Sequence, residues 1–372
     1  MPAKVSLLKC ASYDPQAVFD AVKKAVGLLG GISAFIKPKS KVLVKPNLLM
    51  AKGPESGIVT HPEVVRAVVR LLKENECRIY LGDGPCASVE GAGKVQDAYL
   101  NSGMAAVAGE EGVELVYFNK RRWRGKFPLT TWLDDCDYLV SVPKFKTHGM
   151  TLLTGAIKNS YGLVSGSYKA ELHKRYYRLL DFAKIVTDIY AEVRPSLTVI
   201  DGIVAMEGDG PATSGSLRNT GILLAGSDCV ALDSVLAKIM GIEPEDVFTT
   251  REAARRGLGT SDIQAIEVCG ERLEDVRGEP FKLPATSLTY KLPAPIVAFA
   301  WGLLKLYPQL IPENCLRCGD CVIACPNKVI SMGDRGIVID YRGCISCFCC
   351  QESCPASAIR VKKSILAKVM GL

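Results

Sequence analysis

Histidine and tryptophan are scarce in this chain, 3 of each in 372 residues. So few imidazoles exclude a zinc centre built mainly from histidine. No apolar run approaches the roughly 18 residues that a membrane-spanning helix needs. The nearest candidate, Pro293 to Leu306, is too short to span. No glycine pattern has the dinucleotide or P-loop spacing, so no nicotinamide, flavin or nucleotide fingerprint is visible. The formal charge is +7, yet Lys and Arg are interspersed with acids. Nucleic-acid binding needs a concentrated basic stripe; the one dense run, Lys120 to Lys126, reads as a solvated loop or hairpin ahead of a docking patch for an acidic partner.

Cysteine, by contrast, is abundant: 15 residues, nine of them in the stretch Cys315 to Pro355 and six scattered singly. CLRCGDCVIACP and CISCFCCQESCP repeat one CxxCxxCxxxCP pattern. Thiolates two residues apart reach three corners of one iron–sulfur cube, and the fourth ligand comes from the other run. This assigns Cys315, Cys318, Cys321 and Cys354 to one [4Fe-4S] cluster, and Cys344, Cys347, Cys350 and Cys325 to a second. Zinc ribbons use ligand pairs and often His. A disulfide framework needs an oxidising compartment, and no signal-peptide pattern is seen, so the expected setting is the cytoplasm. Cys349 falls between two ligands, outside the pattern, and reads as a packed or spare thiol. The segment resembles a two-cluster bacterial-type ferredoxin.

Upstream, continuous apolar runs such as KVLVK (Lys41 to Lys45) alternate with amphipathic helices, as in Pro15 to Leu29 and Val64 to Leu72. Thr60 is the expected N-cap of the second helix, with Glu63 three residues on. Further strands are expected at Arg78 to Leu81, Val113 to Phe118, Tyr138 to Val142, Leu197 to Ile200 and Ile222 to Ala225. A helix is expected over Tyr176 to Val193. The alternation predicts an α/β fold, a mainly parallel sheet with helices on both faces, followed by a small α+β ferredoxin-like domain. The expected division is 1–280 for the α/β domain, 281–312 for a Pro-rich apolar linker, 313–362 for the ferredoxin domain and 363–372 for a basic amphipathic tail. The apolar helix near Ile296 to Leu306 is expected to pack under the ferredoxin domain, with a membrane-interface contact shared with the tail as the alternative.

In such sheets ligands bind outside the carboxyl ends of the strands, where polar residues gather: Lys45-Pro46-Asn47, Gly82-Asp83-Gly84-Pro85, Lys144-Phe145-Lys146-Thr147-His148, Asp201-Gly202 and Asp228. With Thr60-His61-Pro62, Lys158-Asn159, Gly162, Met206 to Pro211 and Asp233, these residues resemble the DUF362 proteins, a domain of uncharacterised function often fused to a two-cluster ferredoxin. The resemblance spans roughly Lys41 to Asp233 and supplies no reaction.

The residues themselves narrow the chemistry. Lys45, Lys144, Lys146, Lys158 and His148 in one crevice favour a small anionic ligand, a carboxylate or phosphate. Asn47 and Asn159 are expected to help bind it. His148 and Lys146 are the catalytic candidates, because flanking lysines keep the imidazole neutral at physiological pH. Asp83, Asp201, Glu207, Asp209 and Asp228 are expected among the substrate-binding residues and are candidate Mg²⁺ ligands, with capping, turn formation and lysine pairing as the alternative. His61 reads as a cap, His173 as solvated and Cys86 as inert. Met206 to Gly215 reads as a phosphate cradle or a lid over the cleft. The leading expectation is an iron–sulfur oxidoreductase passing electrons between a redox partner and the anion. The alternatives are a docking or electron-carrier module and a Mg²⁺-dependent enzyme with structural or regulatory clusters.

Overall fold

A computed structural model describes residues 2–85, 92–166, 168–287, 306–334 and 336–362. In chain order the strands of the large region are β1 (Ala3–Lys9), β2 (Lys41–Lys45), β3 (Arg78–Leu81), β4 (Glu114–Leu115), β5 (Arg121–Arg124), β6 (Phe127–Thr130), β7 (Tyr138–Ser141), β8 (Lys144–His148), β9 (Leu152–Thr154), β10 (Leu197–Gly208), β11 (Gly215–Gly226) and β12 (Ile266–Gly270). Ten of them form one sheet, in the order β12-β1-β11-β10-β7-β2-β3-β4, with β8 beside β10 and β9 beside β8. Pairing is parallel from β10 through β4, and β11 runs antiparallel to both β1 and β10.

Strand side chains alternate between faces, so a sheet covered on both sides needs apolar residues at every position. In β2, Val42 and Val44 enter the core on one face while Leu43 enters a cluster on the other. In β11, Ile222 and Leu224 likewise oppose Leu223 and Ala225. The α/β expectation therefore holds. β5 and β6 are the two strands of a hairpin, and they carry the basic run Arg121 to Lys126.

Several boundaries differ from the sequence reading. Lys144 to His148, expected among the polar residues beyond a strand end, is itself a fully buried strand. Its lysines are buried because carboxylate and carbonyl partners receive their ammonium groups. The strand expected at Val113 to Phe118 shortens to Glu114–Leu115. The helix expected from Tyr176 starts at Leu179 behind Arg178. The cap of helix Pro62–Glu74 is His61, whose Nδ1 accepts the Glu63 N–H. Thr60 instead joins two loops, accepting the Asn47 N–H and donating to the Val142 carbonyl.

The C-terminal region holds two antiparallel ribbons. β13 (Tyr307–Leu310) pairs with β16 (Ile359–Lys362), and β14 (Ile330–Gly333) pairs with β15 (Gly336–Ile339). The short helices Asp320–Ala324 and Cys349–Glu352 lie against a small core that includes Ile330, Ile337 and Ile359. Cys86, most of the apolar helix near 296–306, and the tail 363–372 lie outside the described residues.

Candidate functional site

Each cysteine quartet lines its own cavity. Cys315, Cys318, Cys321 and Cys354 border one, and Cys325, Cys344, Cys347 and Cys350 border the other. The split is the crossed three-plus-one set that a two-cluster ferredoxin uses. Among the described residues, no three His, Cys, Asp or Glu side chains gather closely enough for a single metal ion. Because each quartet borders a cavity, the sulfurs surround a volume, as a cube requires, and the residues fit the cofactor.

The two regions meet through the turn between β10 and β11. Thr213 Oγ1 donates to the Cys354 carbonyl at 2.9 Å, Ser357 Oγ donates to the Thr213 carbonyl at 2.7 Å, and Ser214 Oγ donates to the Ile359 carbonyl at 3.4 Å. The stretch Met206 to Gly215, expected as a phosphate cradle or lid, is a docking turn. Its polar atoms are taken up by strand pairing, by Thr147, Lys282 and Ala285, and by the ferredoxin region.

A cavity of about 90 Å³ lies at this junction. Its α/β wall includes Lys158, Tyr161, Gly162, Lys169 and His173, and its ferredoxin wall includes Cys349, Glu352 and Ser353. Lys158 is placed by the helix Ala156–Asn159, whose first N–H groups are held by Asp233 Oδ1 and Oδ2 at 2.6 and 3.1 Å. The Lys158 ammonium sits 4.5 Å from the Tyr161 ring centroid and 5.6 Å from that of Phe182. Burial pushes it down to about 8, against the opposing pull of Glu352. His173, expected in solvent, is 6% exposed, and its Nδ1 has no hydrogen-bond partner. It packs on Tyr161 and Phe182, and burial lowers it to about 3. The basic neighbours in HKRYYR hid this placement.

Beneath the floor lies an ion pair, Lys45 Nζ to Asp83 Oδ1 at 2.7 Å. Lys45 also donates to Asn159 Oδ1, and Asp83 accepts the Leu48 and Gly84 N–H groups. A Cβ on Gly162 would lie 2.6 Å from both Asp83 Oδ1 and Lys45 Nζ. Glycine is therefore what lets the cavity floor approach the pair. Lys144 Nζ is bound by Asp201 Oδ2 at 2.8 Å and by the Tyr13 hydroxyl at 2.7 Å. Asp201 also accepts from Tyr13 and from the His61 N–H, and the Tyr13 and His61 rings stack at 3.6 Å. Burial lowers both Lys45 and Lys144, and the paired carboxylates oppose it.

The expected crevice is thus corrected. Lys45 and Lys144 are matched by their own chain's carboxylates, Lys158 reaches the cavity, and Lys146 donates to the Ile58 carbonyl at 2.7 Å. Burial, with Lys144 and Lys158 nearby, pushes Lys146 down to about 7. His148 Nδ1 accepts the Met150 N–H, and Nε2 faces Glu352 Oε1 at 3.5 Å. Burial holds His148 well below its ordinary range, and lifts Glu352 to about 7.

The remaining acids do not converge. Glu207 pairs with Arg218, Asp209 accepts the Ala285 N–H, and Asp228 caps the helix Cys229–Met240. With Asp83 and Asp201 paired to lysines, the capping and pairing alternative describes all five, and no magnesium site forms from them. Asn47 donates its N–H to Thr60, while its side-chain oxygen is buried without a partner. Sequence reading missed Tyr13, Tyr161, Lys169, Ser353 and Glu352, none of which lies in a motif of its own. It also left Cys349 without a role.

Residues 42–238 match the domain of unknown function DUF362, and residues 307–355 match a 4Fe-4S dicluster domain. A thylakoid-associated protein of Synechocystis sp. is 31% identical over 69% of this chain and 81% of its own length. The pyruvate synthase subunit PorD of Methanothermobacter marburgensis is 34% identical over 17% of this chain and 73% of its own. Among solved structures, the lactate racemase apoprotein of Thermoanaerobacterium thermosaccharolyticum gives a TM-score of 0.36 at 14% identity, over 59% of this chain and 53% of its own. At that score the likeness carries no chemistry across. Among the described residues, no helix is long and apolar enough to cross a membrane.

Proposed function

The chain belongs to the DUF362 family and joins that domain to a 4Fe-4S dicluster domain, and from this we propose an iron–sulfur oxidoreductase that exchanges electrons with a small anionic ligand in the interdomain cavity. Cys315, Cys318, Cys321 and Cys354 would hold one cluster, and Cys325, Cys344, Cys347 and Cys350 the other. Such groups supply one-electron transfer, and a ferredoxin domain implies a redox partner protein. The division near 280 and 313 separates the ligand-binding part from the electron-carrying part.

One observation carries this reading: the cavity that Lys158 and His173 border is closed by Cys349, Glu352 and Ser353, the chain neighbours of Cys350 and Cys354. Ligand and cluster would share a wall. Lys158 supplies the charge, and burial of both partners strengthens its attraction for an anion. Lys146, at about 7, and His148, beside Glu352, are the groups suited to moving protons. Lys45, Asp83 and Asn159 support the floor.

The test uses protein purified without oxygen, with its iron content and cluster potentials measured with and without carboxylates and phosphate. A potential that moves with an anion, and no longer moves in Lys158→Met, is the expected result. Intact clusters with no anion felt by either the potentials or the melting midpoint would overturn the ligand reading in favour of an electron carrier.

A further inference from the structure

Cys349 occupies the place in the second cysteine run that Asp320 occupies in the first: Cys347-Phe348-Cys349-Cys350 against Cys318-Gly319-Asp320-Cys321. The two residues meet different surroundings. Asp320 pairs with Lys94 across the domain boundary at 2.6 Å, on a partly exposed surface. Cys349 is buried, lines the interdomain cavity, and stands two residues from Cys347, near enough for the two thiols to interact. A second feature of the same cavity points to a ligand, namely the buried His173 Nδ1 that finds no protein partner.

We propose that Cys349 is a positioning residue that ties cavity occupancy to the second cluster, its S–H donating to the Cys347 sulfur while its other side faces the ligand held by Lys158 and His173. Hydrogen bonds to ligand sulfurs are among the levers that set the potential of an iron–sulfur centre. A donor to a thiolate withdraws charge from it and makes the reduced state easier to reach. An anion against Lys158 changes the field at the S–H, and through it at Cys347. The first quartet has no equivalent side-chain donor, because Asp320, which lies beside Cys318 and pairs with Lys94, is a carboxylate and can only accept. The inference rests on the proposed ligand site, but its hydrogen bond is testable without any ligand.

Redox titration of the holoprotein, followed by electron paramagnetic resonance, separates the two. Without added anion, Cys349→Ala is expected to move one potential to a more negative value, about twofold to tenfold in that cluster's reduction equilibrium. The other potential stays in place. Cys349→Ser, which keeps a donor of similar size, restores most of the shift. Two potentials unchanged in Cys349→Ala, or both moved equally, would overturn the proposal. With acetate or inorganic phosphate added, the same wave shifts in the wild type, and in Cys349→Ala that shift shrinks while the anion still raises the melting midpoint. An anion shift of undiminished size in Cys349→Ala defeats the coupling. If neither anion moves the wild-type wave yet Cys349→Ala does, the ligand reading and the coupling both fall and only the hydrogen bond survives.

Discussion

The two cysteine runs repeat one spacing and sit in opposite surroundings. Around the first quartet, Cys318 is exposed, Cys315 is half-buried, and Leu316 and Ile323 are 69% and 61% exposed. In the second quartet Cys325, Cys344, Cys347 and Cys350 are all buried, and the helix that carries Cys349 and Glu352 closes a cavity against the α/β domain. Spacing alone determines that a cluster can be held. What the cluster can exchange electrons with depends on what covers it. On the proposed function, the outward quartet is the end a partner protein reaches, and the inward one is the end beside the ligand.

The sharpest way to break this comparison is to remove ligands across the two runs. Cys354→Ala, although in the second run, is expected to abolish the same cluster as Cys315→Ala. Cys325→Ala is expected to abolish the same cluster as Cys344→Ala. Each variant should lose about half of the bound iron, since each cube takes its fourth thiolate from the other run. Iron analysis and resonance spectra check this. Identical spectra for Cys354→Ala and Cys344→Ala would mean that the runs do not cross.

A smaller effect is expected on the inward side alone. Gly162→Ala places a methyl group 2.6 Å from Asp83 Oδ1 and Lys45 Nζ. Overpacking of this kind costs about 1–3 kcal/mol, here with strain on a buried ion pair. The melting midpoint should fall and the anion response of the inward cluster should weaken, while the outward cluster keeps its potential. A variant as stable as the wild type would show that the floor yields.

The same contrast explains what the sequence could reveal. Cluster ligands are legible because one local spacing carries them, and the sheet is legible because KVLVK and its counterparts must be apolar on both faces. The strand-end motifs were also readable as neighbours: Lys45, Asp83, Asn159 and Gly162 do meet. Which of their charges stay free was not readable, because Asp83 and Asp201 lie far along the chain from the lysines they match. Cys349, read as a packed or spare thiol, is a buried free cysteine. His173 was misplaced for a related reason: it packs on Tyr161 and Phe182, and nothing in HKRYYR records those contacts.

The mildest test of the comparison is acid–base, and it turns on signs. Lys158 is lowered to about 8 by burial first, with Lys45 lowering it further and Glu352 and Cys349 opposing. An anion needs the protonated amine, so for acetate, whose own charge is constant above pH 7, Lys158 itself costs no affinity below about pH 8. Glu352 on the facing wall, lifted to about 7, gains charge there and weakens binding modestly. Above about pH 8 affinity falls by up to tenfold per pH unit. Stability runs the other way. The ordinary lysine value is 10.5, so between about pH 8 and 10.5 the unfolded chain holds a proton that the folded chain has released, and stability rises with pH. Lys146, at about 7, adds a rise in the same direction that begins lower. His173, lowered to about 3, is already neutral in this window and contributes to neither slope. Lys158→Met should therefore bind acetate weakly at every pH, without the steep fall above about pH 8, and should reduce, without removing, the rise in stability. Calorimetric acetate titrations and melting midpoints from pH 7 to 10 measure both, and a steep loss of affinity that survives in Lys158→Met would place the anion on another group.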